Sequence, residues 1–175
     1  MSRYHNGGTR GEGLIESIIY IALLTAMLAV LTNLVVSIPK VSSSLKASRD
    51  TARSASIALE TMTREVRAAT AVVDASSTFG SSPGVLALTV PLEAGGSTTT
   101  EFFVENNILK TRGNGIWSQP LLFSGTRVNS LIFNKITTGE STAIRITLTL
   151  ETPNRTGTTT ASFQTSVIMR PTYQD

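Results

Sequence analysis

The chain has 175 residues, 41% of them hydrophobic and 15% charged, with a net charge of +3 at neutral pH. That composition has room for one compact domain plus an accessory segment, is too apolar for a disordered chain, and carries too slight a basic surplus to expect direct nucleic-acid binding. With no cysteine and a single histidine, His5, the main body holds no disulfide framework, thiolate metal site, thiol nucleophile or histidine general base.

The first strong pattern is Ser17 to Ile38, SIIYIALLTAMLAVLTNLVVSI, with no charged residue. As a helix it extends roughly 33 Å at about 1.5 Å per residue, one hydrocarbon core. Ser17, Thr25, Thr32, Asn33 and Ser37 interrupt it, and these side chains are small enough to bond to their own helix or to a neighbour. A cleaved signal peptide is the plainer alternative, but its apolar stretch is about 7 to 15 residues and ends in small residues at a cleavage site. The present run is longer and lacks that ending, so a permanent apolar helix is expected.

Arg10, Gly11, Glu12, Gly13, Leu14, Ile15 and Glu16 lead into this run. A carboxylate at the edge of an apolar helix either stays at headgroup level, where the helix dipole favours it, or needs a positive partner when it is buried. The segment resembles the leader of type IV prepilins and type II secretion pseudopilins: a short basic stretch ending in Gly, a few residues, a Glu, and about twenty apolar residues. Gly11 matches the leader glycine, Leu14 and Ile15 the Leu-Ile pair, and Glu16 the glutamate. Glu12 stands where the family usually has Phe, and Gly13 where Thr or Ser is common. The resemblance implies cleavage after Gly11 by a prepilin peptidase, methylation of the new amino terminus at Glu12, and pairing of Glu16 with the amino terminus of an adjacent subunit as helices pack into a filament core.

Basic residues flank the helix on both sides, Arg3 and Arg10 before it and Lys40, Lys46, Arg49 and Arg53 after it. A bare positive-inside count would leave the C-terminal part in the cytoplasm, whereas the family places it outside. Long C-terminal domains translocate largely regardless of charge, so a single-pass inner-membrane protein with an extracytoplasmic head is expected.

Pro39 ends the apolar run and is expected to kink a longer helix or to separate two. Beyond it, Val41, Ser48, Ala55, Met62 and Ala69 form one seven-residue series, and Leu45, Ala52, Leu59, Val66 and Val73 another, with charges between them. This predicts an amphipathic helix over 39–73. A coiled coil is the alternative, but the Ala- and Ser-rich seam is thin and better suited to packing on the chain's own sheet.

From residue 74 the composition turns to Ser, Thr, Gly and Pro around short strand-like runs. Val85 to Val90 reads as a strand closed by Pro91, and EFFVENNILKTR as a hairpin turning at Asn106-Asn107. GNGIWSQPLLFSG reads as a turn-rich connection with Trp117 as a partial core plug, and Val128 to Ile136 as a further strand. Ile144, Ile146, Leu148 and Leu150 alternate with polar residues, as do Ala161, Phe163, Thr165, Val167 and Met169 after the loop TPNRTGTT. An antiparallel sheet with one wet face is predicted. Asp74, Glu93, Glu101, Glu105 and Asn106 do not share ligand spacing, so no metal is expected.

The organisation expected is therefore α+β: leader 1–11, apolar helix 12–38, amphipathic continuation 39–73 and β-rich head 74–175. Within the pilin class, Thr63 to Ala69, Gly84 to Leu88, the Phe103-Val104 to Leu109-Arg112 hairpin and Val167 to Arg170 resemble the subfamily of the minor pseudopilin J and minor pilin W. That resemblance implies a filament subunit with no enzymatic activity and no cofactor. Its partners would be other pilin or pseudopilin subunits, the prepilin peptidase, the inner-membrane assembly platform and membrane lipid. An unprocessed single-pass anchor carrying a binding or adhesion head is the alternative.

Overall fold

The computed structural model describes residues 12–92, 95–114, 116–139, 141–155 and 157–169. The chain is α+β and divides into two compact units, Met1–Ser42 and Ser43–Asp175. One helix, α1, is assigned over Glu12–Ala68 and includes Pro39 without an interruption. Of the two arrangements expected at Pro39, a longer helix and two separate ones, the chain takes the longer helix. Proline removes a single N–H, the one that the carbonyl four residues earlier would accept, and the surrounding helix retains its other bonds.

The helix stops at Ala68 rather than reaching the expected residue 73. Ala69 N–H still donates to Glu65 O at 2.9 Å, but Thr70 N–H turns to Thr89 O at 2.8 Å and Ala71–Val72 form a short strand, β1. Thr70, Val72 and Val73 are β-branched, and extended backbone pairing satisfies them better than another helical turn.

The head holds two antiparallel sheets where one was expected. In the first, β1, β2 (Leu86–Pro91), β3 (Ser97–Glu105), β4 (Ile108–Gly113) and β5 (Trp117–Pro120) lie in chain order. In the second, β6 (Arg127–Thr138), β7 (Ser141–Asn154) and β8 (Gly157–Ile168) form a meander. Asn106 and Asn107 both take positive φ, 53° and 60°, and make the β3–β4 turn as the sequence predicts. The connection holding Trp117 contributes β5, paired along β4; the Trp117 side chain lies outside what is described. The loop expected over TPNRTGTT is largely strand, because β7 runs to Asn154 and β8 starts at Gly157. Pro153 fits there because β6 pairs with β7 only as far as Arg127 opposite Glu151, so no neighbour needs the N–H that proline lacks.

Both sheets and the helix line one core. Ala55, Ala58, Met62 and Val66 of α1, with Ala69 just beyond its end, meet Leu86, Leu88, Phe102 and Leu109 of the first sheet and Leu131, Phe133 and the Ile144 to Leu150 row of the second. A register shift in β6 between Val128 and Ser130 leaves Asn129 as the extra residue and returns Val128 to the buried side with Leu131 and Phe133. The outer edge of β6 is covered from the first sheet's lead-in. Gly80 N–H donates to Phe133 O and Gly84 N–H to Leu131 O, each at 2.8 Å, and Val128 N–H donates to Asn107 O at 2.7 Å. A Cβ on Gly84 would stand 3.0 Å from Leu131 O, so this approach requires glycine.

The face in contact with the head keeps the later members of the seven-residue series, Ala55, Met62, Val66 and Ala69, and departs from the earlier ones. Ala47, Thr51, Ser54, Ala55, Ala58, Met62 and Val66 are buried, recurring every three or four residues with Ala55 beside Ser54, as on one face of a straight helix. Leu45 and Ala52, expected in the seam, are exposed. Thr51 and Ser54 take the buried places because the head answers their hydroxyls. Thr51 donates to Ala47 O and is 2.8 Å from Thr152 Oγ1; Thr152 is 3.2 Å from Thr126 Oγ1, which accepts from Ser54 at 3.3 Å. Thr152 continues the inward row of β7, so the apolar core passes at this end into a buried layer of hydroxyls.

Candidate functional site

The features with functional potential lie at the start of α1. Gly11 lies outside the described residues, and Glu12 is the first residue of the helix. Leu14, Ile15 and Glu16 follow within the first turns, all exposed. Glu16 has no ion-pair partner among the described residues, and the N-terminal end of a helix is the place where a carboxylate is favoured by the backbone dipole.

Behind it, Gly13–Val35 is a 23-residue helical stretch long and apolar enough to cross a membrane, with none of it buried within the chain. Its large side chains, from Leu14 to Val35, are 47% to 67% exposed. Tyr20, Leu23, Leu24 and Met27 line a continuous apolar strip of its surface. The hydroxyls that interrupt the run are satisfied locally. Ser17 donates to Gly13 O at 2.7 Å, Thr25 to Ile21 O at 2.8 Å, Thr32 to Leu28 O at 2.8 Å and Ser37 to Asn33 O at 2.8 Å. This is the first of the two satisfactions the sequence allows, and it makes the stretch compatible with a water-free surrounding.

In the head the carboxylates are dispersed into separate pairs. Glu101 is held by Arg112, whose Nε lies 2.9 Å away and whose guanidinium also stacks on Phe103 at 4.8 Å. Glu105 accepts from Lys110 at 2.6 Å, and Asp74 takes Lys135 on both oxygens at 2.7 and 2.8 Å. The hydrogen bond and charge of Lys110 hold the Glu105 carboxyl below the usual glutamate range. Among the described residues no three acidic or imidazole groups gather as metal ligands. A cleft of about 350 Å³ between Ser82-Pro83, the Asn106-Asn107 turn and the Asn129 bulge has no charged lining residue.

Sequence reasoning located Leu14, Ile15 and Glu16 at the head of the apolar stretch, and the structure keeps the three together. It did not find the Thr51–Thr152 contact, whose partners are 101 residues apart with no local pattern to announce them. Comparison with protein families, curated proteins and solved structures gives no match for this chain.

Proposed function

We propose that the chain is a minor pilin or pseudopilin subunit of a type IV pilus, type II secretion or competence-type filament. It is held in the inner membrane by its N-terminal helix with the head outside the cytoplasm, cut after Gly11 by a prepilin peptidase, and assembled through that helix. It performs no chemistry of its own. The observation that carries this reading is the wholly exposed apolar stretch Gly13–Val35 with an unpartnered Glu16 at its start, among the described residues.

Lipid and a bundle of like helices are alternative covers for such a surface, since hydrocarbon and packed apolar side chains differ little in polarity. Moving from one to the other takes Glu16 away from the headgroups, and a buried carboxylate needs a positive partner. Cleavage after Gly11 would create one, an amino terminus at Glu12.

Intact mass of the protein from membranes, with and without a co-expressed prepilin peptidase, tests the reading. Loss of residues 1–11, with or without a methyl group on Glu12, is the expected result. A chain that keeps Met1 to Gly11 beside an active peptidase would overturn it in favour of the unprocessed tethered binding head.

A further inference from the structure

Three segments far apart in the chain enclose the cleft of about 350 Å³ on the head: Ser82-Pro83 in the lead-in to β2, the Asn106-Asn107 turn between β3 and β4, and the bulge of β6 at Asn129. Hydrogen bonds fix them to one another. Val128 N–H donates to Asn107 O at 2.7 Å, Gly84 N–H to Leu131 O at 2.8 Å, and Leu131 N–H to Ser82 Oγ at 3.2 Å. The volume lies within the range of about 300 to 1,000 Å³ that small-molecule sites occupy.

The polar side chains on this cleft fall into two pairs. Asn107 and Ser82 are oriented by the protein. Asn107 Nδ2 donates to Val128 O at 3.1 Å, which leaves Oδ1 as a fixed acceptor, and Ser82 Oγ already accepts from Leu131, which leaves its O–H to donate. Asn106 and Asn129 are exposed, and their carboxamides have no partner among the described residues. Each offers two N–H donors and an acceptor oxygen. Pro83 and Val104 add apolar surface beside these groups.

That inventory selects among ligand classes. Among the described residues, none lining the cleft is charged, so an ion or a phosphate meets no countercharge. None is aromatic, so a nucleobase has no ring to stack on. The N–H and C=O of both Val128 and Leu131 beside it are already bonded, so an extended peptide finds no ladder to join there. A sugar ring fits what is left. Its neutral hydroxyls both donate and accept, as a carboxamide does, and its C–H face can lie against the apolar ring of Pro83.

We propose that this cleft is a binding site for a neutral carbohydrate, held by the Asn106 and Asn129 carboxamides, Asn107 Oδ1 and the Ser82 hydroxyl, with a ring face against Pro83. The inference goes beyond filament membership and does not depend on cleavage at Gly11.

Saturation-transfer NMR on the full-length chain in a sugar-free detergent tests it, with maltotriose, cellotriose and triacetylchitotriose as probes and the uncharged peptide acetyl-tetraalanine amide for comparison. At least one of the sugars should receive saturation on its ring protons. Asn106→Gly, which keeps the positive φ of the turn, and Asn129→Ala should each lower that transfer several-fold while the head's melting temperature stays unchanged. Thr160→Ala, at an exposed position of β8, should leave it as it is. No transfer to any of the sugars, or transfer that survives either cleft substitution, overturns the proposal; transfer to the peptide alone overturns it in favour of a peptide site.

Discussion

The stretch Gly13–Val35 of α1 is the most apolar part of the protein and has no described residue covering it, whereas the part from Ala47 to Val66, rich in Ala, Ser and Thr, supplies a buried face. Apolar content and burial within the chain are thus inverted along a single helix. The first stretch is built from large side chains that suit an external apolar medium. The second uses small ones that let a helix lie close to a sheet, and its buried hydroxyls are tolerable because each has a partner.

The largest effect expected from breaking this contrast is at Met62, fully buried between helix and sheets. Met62→Ala should destabilise the head by about 2 to 5 kcal/mol. Leu24→Ala, in the exposed stretch, should leave head stability within about 0.5 kcal/mol of the wild type. Urea unfolding of the full chain in detergent compares the two directly, and similar losses would show that the two stretches are not energetically distinct.

A smaller effect sharpens the reason for burying hydroxyls. Thr51→Val keeps the shape but leaves Thr152 with one partner fewer, at about 1 kcal/mol. Thr51→Val combined with Thr152→Val should cost less than the sum of the two single changes, since removing both ends of a buried bond leaves less unsatisfied. A double-mutant cycle on the same unfolding curves reads this, and strict additivity would deny the coupling.

The smallest expected effect is at the exposed Glu105. Its folded-state pKa lies below the ordinary value because of Lys110, so the pair's contribution is present above the unfolded glutamate pKa and is lost as pH falls through the depressed folded one. A carboxyl NMR titration should place the Glu105 midpoint below that of unpaired glutamates, and Lys110→Met should return it toward them. An unchanged midpoint in the variant would remove Lys110 as the cause.

What was legible in the sequence follows the range of the interactions. The Asn106-Asn107 turn and the alternation of β7 and β8 depend on residues a few positions apart, and they appear where the sequence placed them. The apolar stretch and Glu16 were equally plain, because 22 uncharged residues in a row need no partner to be recognised. The buried helix face was misread at Leu45 and Ala52 because an apolar count passes over Thr51 and Ser54, whose acceptability depends on Thr152 and Thr126 far along the chain. β5 was hidden by Gly113, Gly115 and Pro120, which read as turn residues although the segment only has to serve as a short outer strand. The division into two sheets was hidden for the same reason as the close approach of Gly84: a glycine that admits a neighbouring strand looks like any loop glycine until the neighbour is known.

The closed edge of β6 carries a consequence for growth. A sheet with two open edges can add copies without end and become a fibre, whereas one with a single open edge stops after the first addition, because the newcomer presents only its own sealed side. By covering β6 from Val128 to Phe133 through Gly80, Gly84 and Asn107, the chain leaves only the last residues of that strand for a neighbour to pair with, which works against open-ended growth of the second sheet.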